Sequence, residues 1–284
     1  MKALILYYSC SGNTRRLGQR AQEALLSRQW NADIFHLRDF DADNYPYHPD
    51  LIVLGVPVQY WDVPNSARRL IQKLPPFKGA SAFVFSTFGK CVINPVPFLL
   101  AKELIEKGCT IVGGGQIVAP HAAKVDGRQR LGDLEAAFGR GQPDDAASSQ
   151  FTAVVQGIAE KIDMKNTARI ELAELKKLHT RGMLASLMGY CTSNRERMWF
   201  MPHIDYDAAM CKNCHQCIES CDAGAILCTS EKEIAIDKGR CNKCYQCIDV
   251  CPSGALGTNW SQAVFWTRAV RLFAREAETK FAVG

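Results

Sequence analysis

The sequence has no apolar stretch approaching the roughly 18 residues that a membrane-spanning helix requires; its best run is Leu51 to Val58. A spanning segment is therefore excluded. No leader is expected, since Met1-Lys2-Ala3-Leu4 reads as the opening of a strand rather than a signal peptide, and the cytoplasm is the expected compartment. No G-x-G-x-x-G follows any strand-like run, so no dinucleotide-binding turn is visible. No nucleic-acid partner is expected. Cysteine, in contrast, is plentiful. Thirteen in 284 residues would suggest disulfides in a short secreted chain, but eight of them fall into two runs of metal-ligand type. The length suits two domains, one of them large enough to bury its own core.

The formal charge of +5 is unevenly spread. Residues 203–257 hold five Lys/Arg against eight Asp/Glu, about −3 for that stretch. Residues 165–202 hold seven Lys/Arg against three Glu, and Arg268, Arg271, Arg275 and Lys280 follow. A solvated basic face is the simple reading of that surplus, and docking of an acidic partner is the other.

Residues 3–8 (Ala-Leu-Ile-Leu-Tyr-Tyr) form an unbroken apolar run, as expected of a strand covered on both faces. Beyond a polar turn, Leu17, Ala21, Ala24 and Leu25 recur at the spacing of an amphipathic helix. Apolar runs return at Asp33–Leu37, Leu51–Val56, Ala80–Phe85 and Thr110–Val118, with helical patterns near 65–73 and 97–107. Alternating elements predict a parallel, doubly wound sheet. Gly139–Ser149 reads as a loop, and Phe151–Ile162 as a helix closing the first domain. Residues 164–202 read as a mostly helical connector, and Trp260–Phe281 as a helix presenting Ala263, Trp266, Val270, Phe273 and Ala277 on one face.

Cys211-Lys-Asn-Cys214-His-Gln-Cys217-Ile-Glu-Ser-Cys221 is repeated thirty positions later as Cys241-Asn-Lys-Cys244-Tyr-Gln-Cys247-Ile-Asp-Val-Cys251-Pro252. Both runs read C-x2-C-x2-C-x3-C. Thiolates spaced by two residues let a short loop wrap three corners of an iron-sulfur cube, leaving one iron open. A pair of zinc sites is the alternative, against which stand the two matching quartets, each followed by Gly-Ala-Ile or Gly-Ala-Leu. The run resembles that of bacterial two-cluster ferredoxins, whose fourth cysteine ligates the other cluster. This resemblance implies two [4Fe-4S] clusters, one on Cys211, Cys214, Cys217 and Cys251, the other on Cys241, Cys244, Cys247 and Cys221. Asp222 departs from the pattern where the second run has Pro252, and its carboxylate is expected to lower the potential of the adjacent cluster. Cys10, Cys91, Cys109, Cys191 and Cys228 match no quartet and are expected to be buried small hydrophobes.

Between the first strand and helix stands Ser9-Cys10-Ser11-Gly12-Asn13-Thr14. Unpaired amides at a helix N-terminus favour an anion, Gly12 permits close approach of a phosphate, and the flanking hydroxyls and amide can donate to it. A simple helix cap is the plainer alternative. In open α/β sheets ligands sit beyond the carboxyl ends of strands. Two later loops there carry suitable groups: Pro57, Val58, Tyr60 and Trp61, which could stack on a ring system, and Ser86, Thr87, Phe88, Gly89 and Lys90, read as exposed backbone amides around a Gly.

These three loops resemble the flavodoxin site, with Ser in place of that family's usual Thr at the first and third positions of the phosphate loop. The resemblance spans residues 1–162 and implies FMN. Taken together, the chain resembles flavodoxin-ferredoxin fusions. The expected architecture is a flavodoxin-like five-stranded parallel sheet of order 2-1-3-4-5 over 1–163, the connector 164–202, a small α+β ferredoxin-like domain over 203–257 and a C-terminal amphipathic helix over 258–284. The implied function is transfer of low-potential electrons between the clusters and FMN, to or from a separate redox partner protein. The alternative is an FMN-dependent reductase with a small substrate on the flavin, its pocket lined by Tyr60, Trp61, Lys90 and His121.

Overall fold

The computed structural model describes residues 1–90, 95–122, 138–178, 198, 201–229, 233–259, 261 and 278–284. Cys91 and Cys191 lie outside the described residues, as does most of the expected C-terminal helix. Among the described residues no helix is long and apolar enough to cross a membrane.

The N-terminal half alternates strand and helix as its apolar runs predict. Strand β1 (Lys2–Tyr7) is followed by α1 (Asn13–Leu26), β2 (Asn31–His36), β3 (Leu51–Pro57), α2 (Asn65–Gln72), β4 (Ser81–Phe88), α3 (Val96–Glu106), β5 (Thr110–Val118) and α4 (Asp145–Asp163). These strands lie parallel in the order β2-β1-β3-β4-β5, the doubly wound flavodoxin-like arrangement. Register follows the buried runs, with Ile5 opposite Ile34 on one side and Val53 on the other. Strands β1, β3, β4 and β5 are buried on both faces because helices cover both, whereas the edge strand β2 is only partly buried. Leu17, Ala21, Ala24 and Leu25 of α1 join Phe151, Val155 and Ile158 of α4 against Ile5, Val53 and Phe83. Across the sheet, Ala67 and Ile71 of α2 and Leu100 and Leu104 of α3 pack on Leu4, Leu6, Ile52 and Leu54.

Three differences from the sequence reading have local causes. Helix α4 starts at Asp145, inside the stretch read as a loop, because the Asp144 carboxylate accepts from the Ala147 N–H at 2.8 Å and caps it. Strand β4 continues through Phe88, so the backbone of Ser86–Phe88 belongs to the ladder, opposite Gln116–Val118, and does not offer exposed amides. The chain end supplies a sixth strand, β10 (Lys280–Val283), antiparallel to β5; residues 280–283 are therefore strand, where the helix over 258–284 was expected.

Two consecutive glycines explain what β5 accepts. A Cβ on Gly114 would stand 2.4 Å from the Leu175 side chain, and one on Gly115 would stand 2.5 Å from the Phe281 ring. Leu175 belongs to a short helix, α5 (Leu172–Lys177), and is buried with Ile170 and Leu178 in the sheet's core. Residues 170–178 of the connector and the chain end thus both pack onto the first half beyond residue 163.

The cysteine-rich part is built of two small ribbons and two short helices. Strand β6 (Asp205–Tyr206) pairs antiparallel with β9 (Leu256–Gly257), and β7 (Ile226–Cys228) with β8 (Ile234–Ile236), while α6 (Gln216–Glu219) and α7 (Gln246–Val250) carry the third cysteine of each run. Its core is small: Ile226, Ile234 and Leu256 around Cys217 and Cys247.

Candidate functional site

The two cysteine runs adopt matching backbones. Asn213 and His215 in the first, and Lys243 and Tyr245 in the second, all have left-handed φ between 49° and 60°. Such values are uncommon for residues with a Cβ and persist only where the surroundings hold them. Here they turn the chain before each following cysteine, so that the sulfurs converge. Equivalent N–H···S bonds form in both runs, from Asn213 to Cys211 and from Lys243 to Cys241, each at 3.4 Å; a third runs from Ala225 to Cys221 at 3.3 Å.

The fourth cysteines cross over. Cys251 joins Cys211, Cys214 and Cys217 around one cavity, which Tyr206, Ile234 and Leu256 also line. Cys221 lies instead with Cys241, Cys244 and Cys247, close enough for these thiols to perturb one another electrostatically. Among the described residues no three His, Cys, Asp or Glu side chains converge tightly enough for a single metal ion. One quartet of cysteines around a cavity and a second whose thiols perturb one another, both with backbone N–H groups aimed at sulfur, suit clusters whose iron atoms are spread over a cube.

The main cleft lies at the carboxyl ends of β1, β3, β4 and β5. Its lining includes Cys10, Ser11 and Asn13 from the first loop, Pro57, Val58, Gln59, Tyr60 and Trp61 from the second, Thr87, Phe88 and Gly89, and then Ala119 to Ala122. Four strand ends bring together residues that sequence places far apart. At the first loop Gly12, with φ 86°, precedes α1 and has nothing within 4 Å of where a Cβ would stand. Ser9 Oγ is buried with no hydrogen-bond partner. An orphaned buried hydroxyl beside a helix N-terminus fits a group that brings oxygen acceptors, as a phosphate does.

Other expected contacts are placed differently. Thr14 Oγ1 shares a 2.8 Å hydrogen bond with Thr87 Oγ1 and so ties the first loop to β4. Ser86 is fully buried within the sheet, and neither Ser86 nor Lys90 is among the cleft's lining residues. Gly89 is required by a close approach, since a Cβ there would meet His121 at 2.5 Å. His121 lines the cleft, and burial pulls its imidazole down to about 4, which keeps it neutral. Tyr60 and Trp61 both adopt left-handed φ, of 50° and 63°, in the loop after β3.

What the sequence did not reveal is the cleft's remaining wall. Met201, Lys243, Cys244 and Tyr245 line it, from the cysteine-rich half. The two halves are fastened there by a buried polar network. Asn242 Nδ2 donates to Tyr8 Oη at 2.9 Å and to Ser66 Oγ, while the Ser66 N–H donates to Asn242 Oδ1 at 3.4 Å. Gln59 Nε2 donates to the Asn242 carbonyl, and Tyr60 Oη to the Lys243 carbonyl, each at 3.0 Å. Lys243 Nζ is buried, and donates to the carbonyls of Met198 and Met201. Burial raises the Tyr60 phenol well above its usual range, so it remains a donor.

Cys10 was expected to be a buried apolar filler. It is only partly buried and lines the cleft beside Cys244, and the nearness of the two thiols raises that of Cys10 and lowers that of Cys244. Cys228 corrects the same expectation more simply, for it is exposed at the end of β7. Cys109 is buried as expected. Asp222 is not an isolated carboxylate. It stands 3.5 Å from His36 Nε2 and 3.9 Å from Arg38 Nη1 of the N-terminal half, so a guanidinium offsets its charge.

The family model of the 4Fe-4S dicluster domain matches residues 201–255. No curated protein sequence matches the chain. Among solved structures, the chain is similar to a flavodoxin from the domain Archaea, with 19% identity over 57% of this chain and 99% of that one and a TM-score of 0.45. It is similar also to oxidised flavodoxin 1 from Bacillus cereus, with 16% identity over 59% and 100% of the two chains and a TM-score of 0.41. A third is the rubredoxin oxygen:oxidoreductase of Desulfovibrio gigas, with 14% identity over 59% of this chain and 37% of that one and a TM-score of 0.43. The chain thus joins a flavodoxin-like sheet, by its own strand order, to a segment that matches the 4Fe-4S dicluster domain.

Proposed function

We propose that this protein is a cytoplasmic electron carrier that passes low-potential electrons between two [4Fe-4S] clusters and FMN, to or from a separate redox enzyme. The observation that carries the proposal is Cys244, which is at once a member of a cysteine quartet and part of the wall of the cleft. A flavin takes electrons in pairs and releases them singly, whereas each cluster passes one at a time.

The chain's own residues then do the positioning. Ser9, Ser11, Gly12 and Asn13 would hold the phosphate end at the start of α1, and Tyr60, Trp61 and Phe88 would bound the ring. Cys211, Cys214, Cys217 and Cys251 would hold one cluster; Cys241, Cys244, Cys247 and Cys221 would hold the other. Hydrogen bonds from Gln59 and Tyr60 to the carbonyls of Asn242 and Lys243 fix the second quartet against the cleft. Covalent linkage in one chain makes transfer intramolecular and spares it a collision.

Anaerobic reconstitution followed by optical redox titration would test this, by counting flavin, iron and sulfide. Internal electron transfer should have a rate independent of protein concentration; a bimolecular dependence refutes the carrier. A second reading, an FMN-dependent reductase, is favoured by the neutral His121 at the cleft, and turnover of a small acceptor without any partner protein would select it.

A further inference from the structure

The cleft at the strand ends is incomplete without the cysteine-rich half. Lys243, Cys244 and Tyr245, three consecutive residues of the second cysteine run, form one of its walls. Their backbone is held in an uncommon conformation: Lys243 and Tyr245 are both left-handed, and the Lys243 N–H is committed to the Cys241 sulfur. Two non-glycine residues in that region are held by surroundings rather than by preference. An iron-sulfur cube gripped by Cys241, Cys244 and Cys247 supplies such a constraint. Without it the run would lose its anchor points, and with them the wall.

The same loop is fastened to the N-terminal half by Asn242, whose side chain is buried and bonded to Tyr8 and Ser66. Asn242 is not one of the residues lining the cleft. It therefore acts by holding the wall in place.

We infer that the flavin site is composite, and that cluster loading at Cys221, Cys241, Cys244 and Cys247 and flavin binding are reciprocally coupled through the Asn242 clamp. This rests on the reading of the cleft as a flavin site. If loading the cluster favours the docked wall, and the docked wall favours flavin, each ligand must favour the other by the same factor. Coupling of this kind commonly amounts to 5–150-fold, and we expect about tenfold here.

The experiment uses full-length protein and FMN itself. Dissociation constants for FMN, read from quenching of its fluorescence, are compared for cluster-loaded protein, for the same protein stripped of iron by an anaerobic chelator, and for cluster-loaded Asn242→Ala. The expected result is about tenfold weaker FMN binding by both altered forms, with bound FMN slowing iron loss to the chelator in the wild type and not in the variant. Equal affinity in cluster-loaded wild type and Asn242→Ala overturns the coupling. That comparison stands even if stripping the iron unfolds the cysteine-rich half. Failure of the cluster-loaded wild type to bind FMN at all refutes the flavin reading of the cleft, and the coupling with it.

Discussion

Asn242, in the second cysteine run, donates through Nδ2 to the Tyr8 hydroxyl at 2.9 Å, joining residues 234 positions apart at the end of the first strand. Both side chains are buried and Ser66 completes the triangle. Polar groups taken out of water are costly unless satisfied together. The triangle therefore acts as a specific lock between the halves.

Asn242→Ala removes the donor and leaves the Tyr8 and Ser66 hydroxyls with one partner fewer in a buried setting. A loss of about 1–3 kcal/mol is expected. Thermal unfolding should split toward two transitions as the halves lose their mutual support; a single transition at the wild-type temperature contradicts the lock.

The crossover of the fourth cysteines makes opposite assignments for two similar variants. Cys251→Ser should disturb the quartet of Cys211, Cys214 and Cys217, and leave FMN affinity nearly unchanged. Cys221→Ser should disturb the quartet containing Cys244 and weaken FMN binding. Iron and sulfide content should fall by about half in each, from four thiolate ligands per [4Fe-4S] site. Reversal of the two flavin effects would show that the ligands do not cross.

Asp222 and Arg38 should move a cluster potential in opposite directions. A nearby negative charge disfavours the more negative reduced state, and a positive charge favours it. Asp222→Asn should raise the potential of the cluster beside Cys221, and Arg38→Ala, which uncovers the carboxylate 3.9 Å away, should lower it. Redox titrations showing no movement in either variant would remove the electrostatic role of this pair.

His121 gives the fold an acid limb. Burial lowers its pKa from 6.5 to about 4, so between those values the unfolded chain takes up a proton that the folded chain refuses. Stability then rises with pH across that window and falls as pH drops through it. Urea midpoints at pH 7, 5.5 and 4.5 should show this slope, and His121→Gln should flatten it. An unchanged slope in the variant assigns the limb to other groups.

Much of the molecule is legible in the sequence because the signals are local. The doubly apolar runs of β1, β3, β4 and β5 report burial on both faces, and the stripe of α1 reports one packed face. The cysteine repeat is equally local, since its spacing sets where sulfurs can point. Boundaries were less legible. Asp144 caps a helix inside a Gly- and Ala-rich stretch, and β4 runs on through Ser86 and Thr87, because ladder partners at Gln116 and Ile117 outweigh the polar side chains.

The sequence by itself determined the parallel sheet, the polar turn Ser9–Thr14 that leads into α1 and the eight thiols in two matching runs. These follow from periodicity and spacing within a few tens of residues. Only the tertiary structure decided that Cys10 meets Cys244, that Asn242 locks onto Tyr8 and Ser66, and that residues 280–283 return to edge the first sheet. Such contacts join segments up to 234 positions apart in the chain. Single polar side chains carry no periodic signature, and which of them meet is settled only when the apolar faces have packed and the remaining buried donors must find acceptors.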